Sequence, residues 1–327
     1  IAPGTLIVVS LGLVLCRTLK LEPKPYLVGI AISANSGALV TFASGICTLM
    51  VGSAAQLPYM HFFVVSTPMA IATAMVAWFV VKRFYKQDLT GDPATAGERA
   101  DAVAAFDEWA MVSDRRLFWR SAILLALTIV GFATAQPLGV GLDFVAMAGG
   151  AAAILFSGQN PEEAIKKVNW TVIVFFIGLF VMIGCVEHSG LLQKAAGLLS
   201  DISGGSVHIA TVVLVVFTAV TSGIMDNIPV AATMIPIVAT MTEALPAAPL
   251  WWGLTISANL GGNGTPIGSI SGVIALSALA ESGGGKVSWG EWFRVGAVCM
   301  LIQILVVLAW LFMFTTFDLY PSLTPIN

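Results

Sequence analysis

Thr221-Ser222-Gly223-Ile224-Met225-Asp226-Asn227-Ile228-Pro229 sets one carboxylate in the middle of an apolar tract. Asp226 is the only formally charged residue between Ile202 and Thr242. A carboxylate at membrane depth costs roughly 2.5–3.5 kcal/mol on insertion scales, so it marks a functional site by default. Ser222, Gly223, Asn227 and Pro229 surround it, a composition that interrupts a helix. An interrupted helix presents backbone carbonyls and helix ends to ions and anions near the bilayer midplane.

The whole chain fits that setting. Of 327 residues, 57% are hydrophobic and 10% charged, against about a quarter charged in a soluble domain. The fold class that follows is an all-α polytopic membrane protein. A net charge of −3 gives no reason to expect nucleic acid as a partner. Cys16, Cys47, Cys185 and Cys299 are scattered through apolar segments, with neither metal-ligand nor disulfide spacing, and read as small core residues. The chain opens Ile1-Ala2-Pro3, with no Met and no basic n-region, and the expectation is that the natural protein has a further N-terminal part.

Outward from the Asp226 tract, the spans can be set in order. An apolar arm at 5–19 ends at Arg17 and Lys20. Tyr26 to Val81 carries no formal charge, enough for two spans of about 20 residues. The first of these, 26–56, is broken by Asn35, Ser36, Gly37, Thr41, Ser44 and Gly45, and the second ends in Lys82-Arg83. Residues 82–118 are the one long polar stretch, read as a cytoplasmic linker from its Lys and Arg content, with Ala100–Trp109 as a candidate interfacial helix. Spans at 119–136, 140–157 and 170–187 follow, the last anchored by Trp170. Asp143 and the Glu187-His188 pair lie near span ends, where solvation is the plainer reading and a proton relay the sharper one. Lys286 and Arg294 place the link before the last span, 293–314, in the cytoplasm. Residues 206–245 must then enter and leave on one side, as a re-entrant hairpin buried in protein.

The chain also repeats itself. Ile32-Ser33-Ala34-Asn35 recurs as Ile256-Ser257-Ala258-Asn259, and the register carries Gly37 onto Gly261, Thr41 onto Thr265 and Ile46 onto Ile270. An odd number of crossings separates the copies, which would then run in opposite directions, as in alternating-access transporters. The organisation expected is residues 1–82 as the end of a first inverted repeat and 83–118 as linker. Residues 119–327 form a second repeat, with three spans, the hairpin 206–245, a broken helix at 250–280 and the last span.

The second copy is the more polar: Asn259-Leu260-Gly261-Gly262-Asn263-Gly264-Thr265-Pro266-Ile267-Gly268-Ser269. Packing through small residues explains the glycines but not two asparagines, a threonine and a proline together. Neutral oxygens suit a hard cation such as Na⁺, and N–H groups at a restarted helix suit an anion. The glycine run has no Lys-Ser/Thr ending and no preceding strand, which excludes a P-loop, and no His-Glu-x-x-His is present. With no second acidic residue at depth, an enzyme is not expected.

Asp226-Asn227-Ile228-Pro229-Val230-Ala231-Ala232-Thr233-Met234-Ile235-Pro236, followed by Asn259 to Gly268, resembles the arsenite-pump/NhaD-type ion transporter superfamily. The branch it resembles holds the melanosomal P protein and citrate-transporter-like permeases, and Val168-Asn169-Trp170 through Phe175–Phe180 fits it too. The resemblance implies a secondary transporter of two inverted repeats, with Asp226 and Asn227 at the second hairpin tip facing Gly261–Ser269. It also implies that the first hairpin ends in the arm at 5–19. The first copy departs from the pattern: Gly37-Ala38-Leu39-Val40-Thr41 and Ala43-Ser44-Gly45-Ile46-Cys47 lack the Asp, prolines and Asn of relatives, which bears on coupling more than on fold.

The candidate ion or substrate residues are Asp226, Asn227, Pro229, Asn259, Gly261, Gly262, Asn263, Thr265 and Ser269, with Asn35, Ser36, Thr41 and Ser44 in the first copy. A Na⁺ would use Asp226, Asn227, Asn263 and Thr265. The function expected is secondary transport with Na⁺/H⁺ antiport foremost and an arsenite or citrate-like carboxylate permease as the alternative. A non-transporting scaffold or degenerate paralogue is the reading from another class. No cofactor is expected beyond a transported or coupling Na⁺ or H⁺. The partners are membrane lipid and a small ion, a homodimer is compatible, and the location is a bacterial inner membrane.

Overall fold

The computed structural model describes residues 2–89, 112, 114–135, 138–156, 160–166, 168 and 170–321. The middle of the 83–118 linker, with Ala100–Trp109, and Asn169 lie outside the described residues. Among the described residues every regular element is helical.

In the first part, α1 (Ala2–Thr18) is followed by α2 (Pro23–Gly37), α3 (Ile46–Ala54), α4 (His61–Phe84) and the short α5 (Lys86–Leu89). Pro23 and Pro25 sit in the first turn of α2, where a missing N–H has no partner to lose. After the linker come α6 (Arg115–Ala135), α7 (Leu142–Phe156), α8 (Pro161–Lys166) and α9 (Trp170–His188). The core of the second part is α11 (Val207–Ile224), α12 (Asn227–Met241), α13 (Ala247–Gly261) and α14 (Ile270–Glu281). A final rod runs through α15 (Trp289–Trp292), a π-helical turn at Phe293–Ala297 and α16 (Val298–Thr316). Among the described residues four helices are long and apolar enough to cross a membrane: α4, α6, α11 and the rod Trp289–Thr316. The expected span at 140–157 is shorter, 15 residues of helix in α7.

One element longer than two turns has no counterpart in the sequence reading. Helix α10 (Leu191–Ser203) lies before the hairpin, bounded by Gly190 (φ 73°) and Gly204 (φ 56°) in the left-handed region. Leu191, Leu198 and Ile202 are exposed on it while Ala196 and Ser203 are buried, an amphipathic pattern suited to an interface.

A shift of 224 residues, the one that carries Ile32 onto Ile256, carries the bounds of α2 onto those of α13 and the start of α3 onto that of α14. The breaks between them, 38–45 and 262–269, therefore match. Their backbones match as well. Ala38 and Gly262 leave the first helix near (−64°, −13°) and (−56°, −14°), and Gly45 and Ser269 enter the second at (−144°, 149°) and (−150°, 149°). Helix α2 packs on α14 and α13 packs on α3. Each half of one discontinuous helix thus lies on the opposite half of the other, as antiparallel neighbours do.

Three apolar clusters hold this frame. One gathers α12 and α13 round Cys47 and Val51 of α3. A second is built on Phe62 of α4 and Trp252 of α13, whose rings meet edge-on at 4.8 Å. The third joins α1, α2 and α4 to Trp292 and Val295 of the rod. At one end, Glu291 accepts a hydrogen bond from the Tyr85 hydroxyl (3.0 Å) and lies 3.6 Å from Lys24 Nζ. That clasp ties the starts of α2 and of the rod to the end of α4. Helices α6 and α7 stand apart, with only Phe132 and Ala135 of α6 buried.

Candidate functional site

Helix α11 stops at Ile224, Met225 is extended (φ −112°, ψ 164°), and α12 restarts at Asn227 with Asp226 as its N-cap. The two arms contact each other and both pack on α13, so 207–241 is a helical hairpin with Asp226 at its tip. Pro229 is the third residue of α12, where the first-turn N–H groups have no intrahelical acceptor and proline is tolerated. Ser222, just below the tip, donates to the Ala258 carbonyl of α13 at 2.6 Å. Gly261 meets the hairpin so closely that a Cβ there would stand 2.5 Å from the Ala219 carbonyl oxygen.

The hairpin tip and the two breaks converge. A small cavity of about 40 Å³ is lined by Asn35, Ile46, Cys47, Asn227, Ile228, Ser269 and Ile270. Three of those residues are the first residues of helices: Ile46 of α3, Asn227 of α12 and Ile270 of α14. Each helix start carries roughly half a positive charge and first-turn N–H groups without an intrahelical acceptor, of which the Ser269 hydroxyl takes that of Gly272 at α14. Three such ends at one point compensate an anion without any lysine or arginine. The volume suits a water-sized group, so a larger solute requires the walls to part.

Around this cavity runs a chain of buried amides. Asn35 Nδ2 donates to Asn263 Oδ1 (2.8 Å) and to Ser269 Oγ (3.0 Å). Asn263 Nδ2 donates to Gln303 Oε1 (2.9 Å), and Gln303 Nε2 donates to the Thr73 carbonyl (2.9 Å) and to Ser36 Oγ (3.3 Å). Ser271 donates to the Ala31 carbonyl and to Asn35 Oδ1, and Trp292 Nε1 donates to the Asn263 carbonyl at 3.0 Å. On the far side of the breaks, Asn259 Nδ2 donates to the Thr255 carbonyl (2.8 Å) and to Thr48 Oγ1 (3.2 Å). Three buried oxygens of the expected site stand without a protein partner: Asp226 Oδ1, Asn259 Oδ1 and Thr265 Oγ1. A buried unpaired oxygen is costly, and a cation or proton relieves that cost.

The expected residues therefore fall into three groups. Asn35, Asn227 and Ser269 line the cavity, and Asn263 and Ser36 belong to the amide network bonded to it. Asp226, Asn259 and Thr265 supply free oxygens, while Gly261 and Gly262 allow close backbone approach. Thr41 and Ser44 do not join them. The Ser44 hydroxyl reaches the carbonyls of Ala38 and Thr41 within its own break, and it lines a separate cleft of about 810 Å³ between α1, α2 and α4. Asp143 is exposed, and His188 Nδ1 lies 2.8 Å from the Gly184 carbonyl on an exposed helix end, while the Glu187 side chain is outside the described residues. The sequence reading missed Gln303, Ser271, Trp292 and Thr48. Gln303 carried a signal, since it is the one amide in the apolar run from Val295 to Thr316.

Known proteins give the same class. The chain is 28% identical over 303 residues to an uncharacterized transporter of Mycobacterium tuberculosis, covering 91% of this chain and 69% of that protein. It is 25% identical over 328 residues to an uncharacterized transporter of Synechocystis, covering 92% of this chain and 71% of that protein. The P protein of Sus scrofa is 32% identical over 213 residues, 61% of this chain and 25% of that much longer protein. The citrate transporter family CitMHS matches residues 2–257. With a hairpin, two crossed broken helices and that match over most of its length, the chain belongs to the CitMHS citrate transporter family of the arsenite-pump/NhaD-type superfamily, membrane permeases rather than enzymes.

Proposed function

We propose that this chain is an alternating-access permease for a citrate-like carboxylate, coupled to a cation or proton at Asp226. The observation that carries the reading is the convergence of the starts of α3, α12 and α14 on one cavity. Carboxylate groups are what three positive helix ends and an amide recognise. Helix starts would balance a carboxylate where no in-span lysine or arginine is at hand to do so. The name of the family supports the same substrate class. In this reading residues 1–82 are the end of the first inverted repeat and 119–327 the second, joined by a cytoplasmic linker at 83–118, in a bacterial inner membrane. Carboxylate groups would meet the helix starts near Asn35, Asn227 and Ser269, and the coupling ion would take the free oxygens of Asp226, Asn259 and Thr265.

Na⁺/H⁺ antiport is the second reading, favoured by those same three unpartnered oxygens, which are the ligand type a hard cation takes whether or not a carboxylate follows. Proteoliposomes separate the two. Uptake of radiolabelled citrate that depends on a Na⁺ or proton gradient, and that loses this dependence in Asp226→Asn, supports the permease. Na⁺-driven proton flux without citrate uptake favours the exchanger. Neither activity, from folded protein, favours the non-transporting scaffold.

A further inference from the structure

We infer that Gln303, which touches neither the cavity nor the hairpin tip, is a positioning residue that fixes the orientation of the Asn35 amide at the cavity. It acts through Asn263, and this role in substrate affinity rests on the permease reading above.

The argument follows hydrogen-bond polarity. Gln303 is fully buried in α16. Its Nε2 faces the Thr73 carbonyl at 2.9 Å, and a carbonyl only accepts. The amide nitrogen is therefore held on the Thr73 side, and Oε1 must face Asn263. That oxygen takes the Asn263 Nδ2 donor at 2.9 Å, which turns Asn263 Oδ1 towards Asn35 at 2.8 Å. Asn35 must then present Nδ2 to Asn263 and Ser269, and its Oδ1 is left for the Ser271 hydroxyl. A backbone carbonyl of α4 thus sets the direction of three side-chain amides in turn. A reversed Gln303 would set donor against donor at Asn263 and acceptor against acceptor at Thr73. The Gln303 bond to Ser36, the neighbour of Asn35, closes the ring on α2. Such a network is satisfied only as a whole, so loss of one member frees the others.

The Trp292 bond to the Asn263 carbonyl holds the backbone of the second break but says nothing to its amide. Gln303 does that, by taking the Asn263 Nδ2 donor that Asn35 leaves free. The partners of Gln303, namely Ser36, Thr73 and Asn263, do not titrate. The elements packed on α16 are α4, α11, α13 and the π turn, and their titratable or charged residues are His61, Lys82, Arg83, His208 and Arg294, near element ends.

Two substitutions test the polarity. Gln303→Met keeps volume and removes both functions of the amide. Gln303→Glu puts in a carboxyl that, when protonated, still accepts from Asn263 and donates to Thr73, and when ionised donates to nothing. In citrate uptake by proteoliposomes, Gln303→Met should raise KM at least about fivefold, the scale of one lost buried hydrogen bond, with kcat nearly kept. Gln303→Glu should match it at the alkaline end of the pH range, where the carboxyl is ionised, and its KM relative to wild type should return towards unity as pH falls. A Gln303→Met KM equal to wild type, or a Gln303→Glu ratio that ignores pH, overturns the assignment. A substrate-free arm separates this from the permease reading. If wild type takes up no citrate, that reading falls, and amide hydrogen exchange judges Gln303 alone. Protection of residues 31–37 and 262–272 should fall together in Gln303→Met. Unchanged protection in both segments refutes the inference.

Discussion

Asn35 and Asn263 stand 228 residues apart in the chain and share a 2.8 Å hydrogen bond between fully buried side-chain amides. One lies in the last turn of the first half of its broken helix and the other inside the opposite break, so the bond is one of those by which the two copies of the repeat touch through polar groups. It also borders the cavity, which makes it a probe of both stability and transport.

Removing either partner leaves the other buried and unsatisfied. Asn35→Ala or Asn263→Ala should each destabilise the purified protein by about 1–3 kcal/mol. Because the two share one network, the double variant should cost clearly less than the sum of the singles, with a coupling of about 0.5–3 kcal/mol. Chemical unfolding of the four proteins in detergent reads this directly, and strict additivity would count against a shared network.

Asp226→Asn keeps size and neutral hydrogen bonding but removes the titrating carboxyl. The fold should survive, since Asp226 Oδ1 has no partner to lose. Coupled transport should lose its dependence on the driving ion, while exchange of internal for external substrate persists. Gradient-driven uptake unchanged from wild type would remove Asp226 from the coupling step.

Backbone contact at the hairpin leaves no room for side chains. At Gly261 a Cβ would press on the Ala219 carbonyl oxygen, a backbone atom that cannot swing aside. Gly261→Ala should therefore cost about 1–3 kcal/mol as an overpacked site. Gly150 of α7 has nothing within 4 Å of its Cβ position, and Gly150→Ala should be neutral or slightly stabilising through helix propensity. Thermal unfolding of both variants checks the contrast.

The Tyr85–Glu291 clasp makes a pH prediction. Burial first, then the hydrogen bond and charge of Glu291, hold the Tyr85 hydroxyl protonated and push its pKa up from 10.0. The folded state thus keeps a proton that the unfolded chain releases near pH 10. The stabilisation is whole below that pH and is lost as pH rises towards the folded value. Wild type and Tyr85→Phe should differ in melting temperature by a constant amount from pH 6 to 9. The gap should narrow above about pH 10. A gap that stays level through pH 11 would deny the clasp this role.

Much of the frame was legible in the sequence, for local reasons. One carboxylate among Ser, Gly, Asn and Pro inside an apolar tract cannot continue a helix cheaply, so the hairpin and its tip at Asp226 follow from Thr221–Pro229. The repeated Ile-Ser-Ala-Asn fixed both broken helices, and the structure places their ends at matching positions, Gly37 with Gly261 and Ile46 with Ile270. Helix α10 escaped notice because Leu191–Ser203 is too polar for a span and too short to stand out as one. Thr41 was expected at the site because it matches Thr265, and Ser44 because it interrupts the first copy, but Ser44 bonds the carbonyls of its own break.

What the sequence by itself determined is the class of molecule and the places where its helices break, because both depend on hydropathy and on the backbone limits of Gly, Pro and Asn. Only the tertiary structure decided which of the polar groups at those breaks remain free. Asn35, Asn263 and Gln303 turn on one another because α2, the second break and α16 meet at one level, while Asp226, Asn259 and Thr265 each keep a buried oxygen that no protein donor reaches. The same crossing brings three helix starts from distant parts of the chain to one cavity, and no spacing along the chain encodes that meeting.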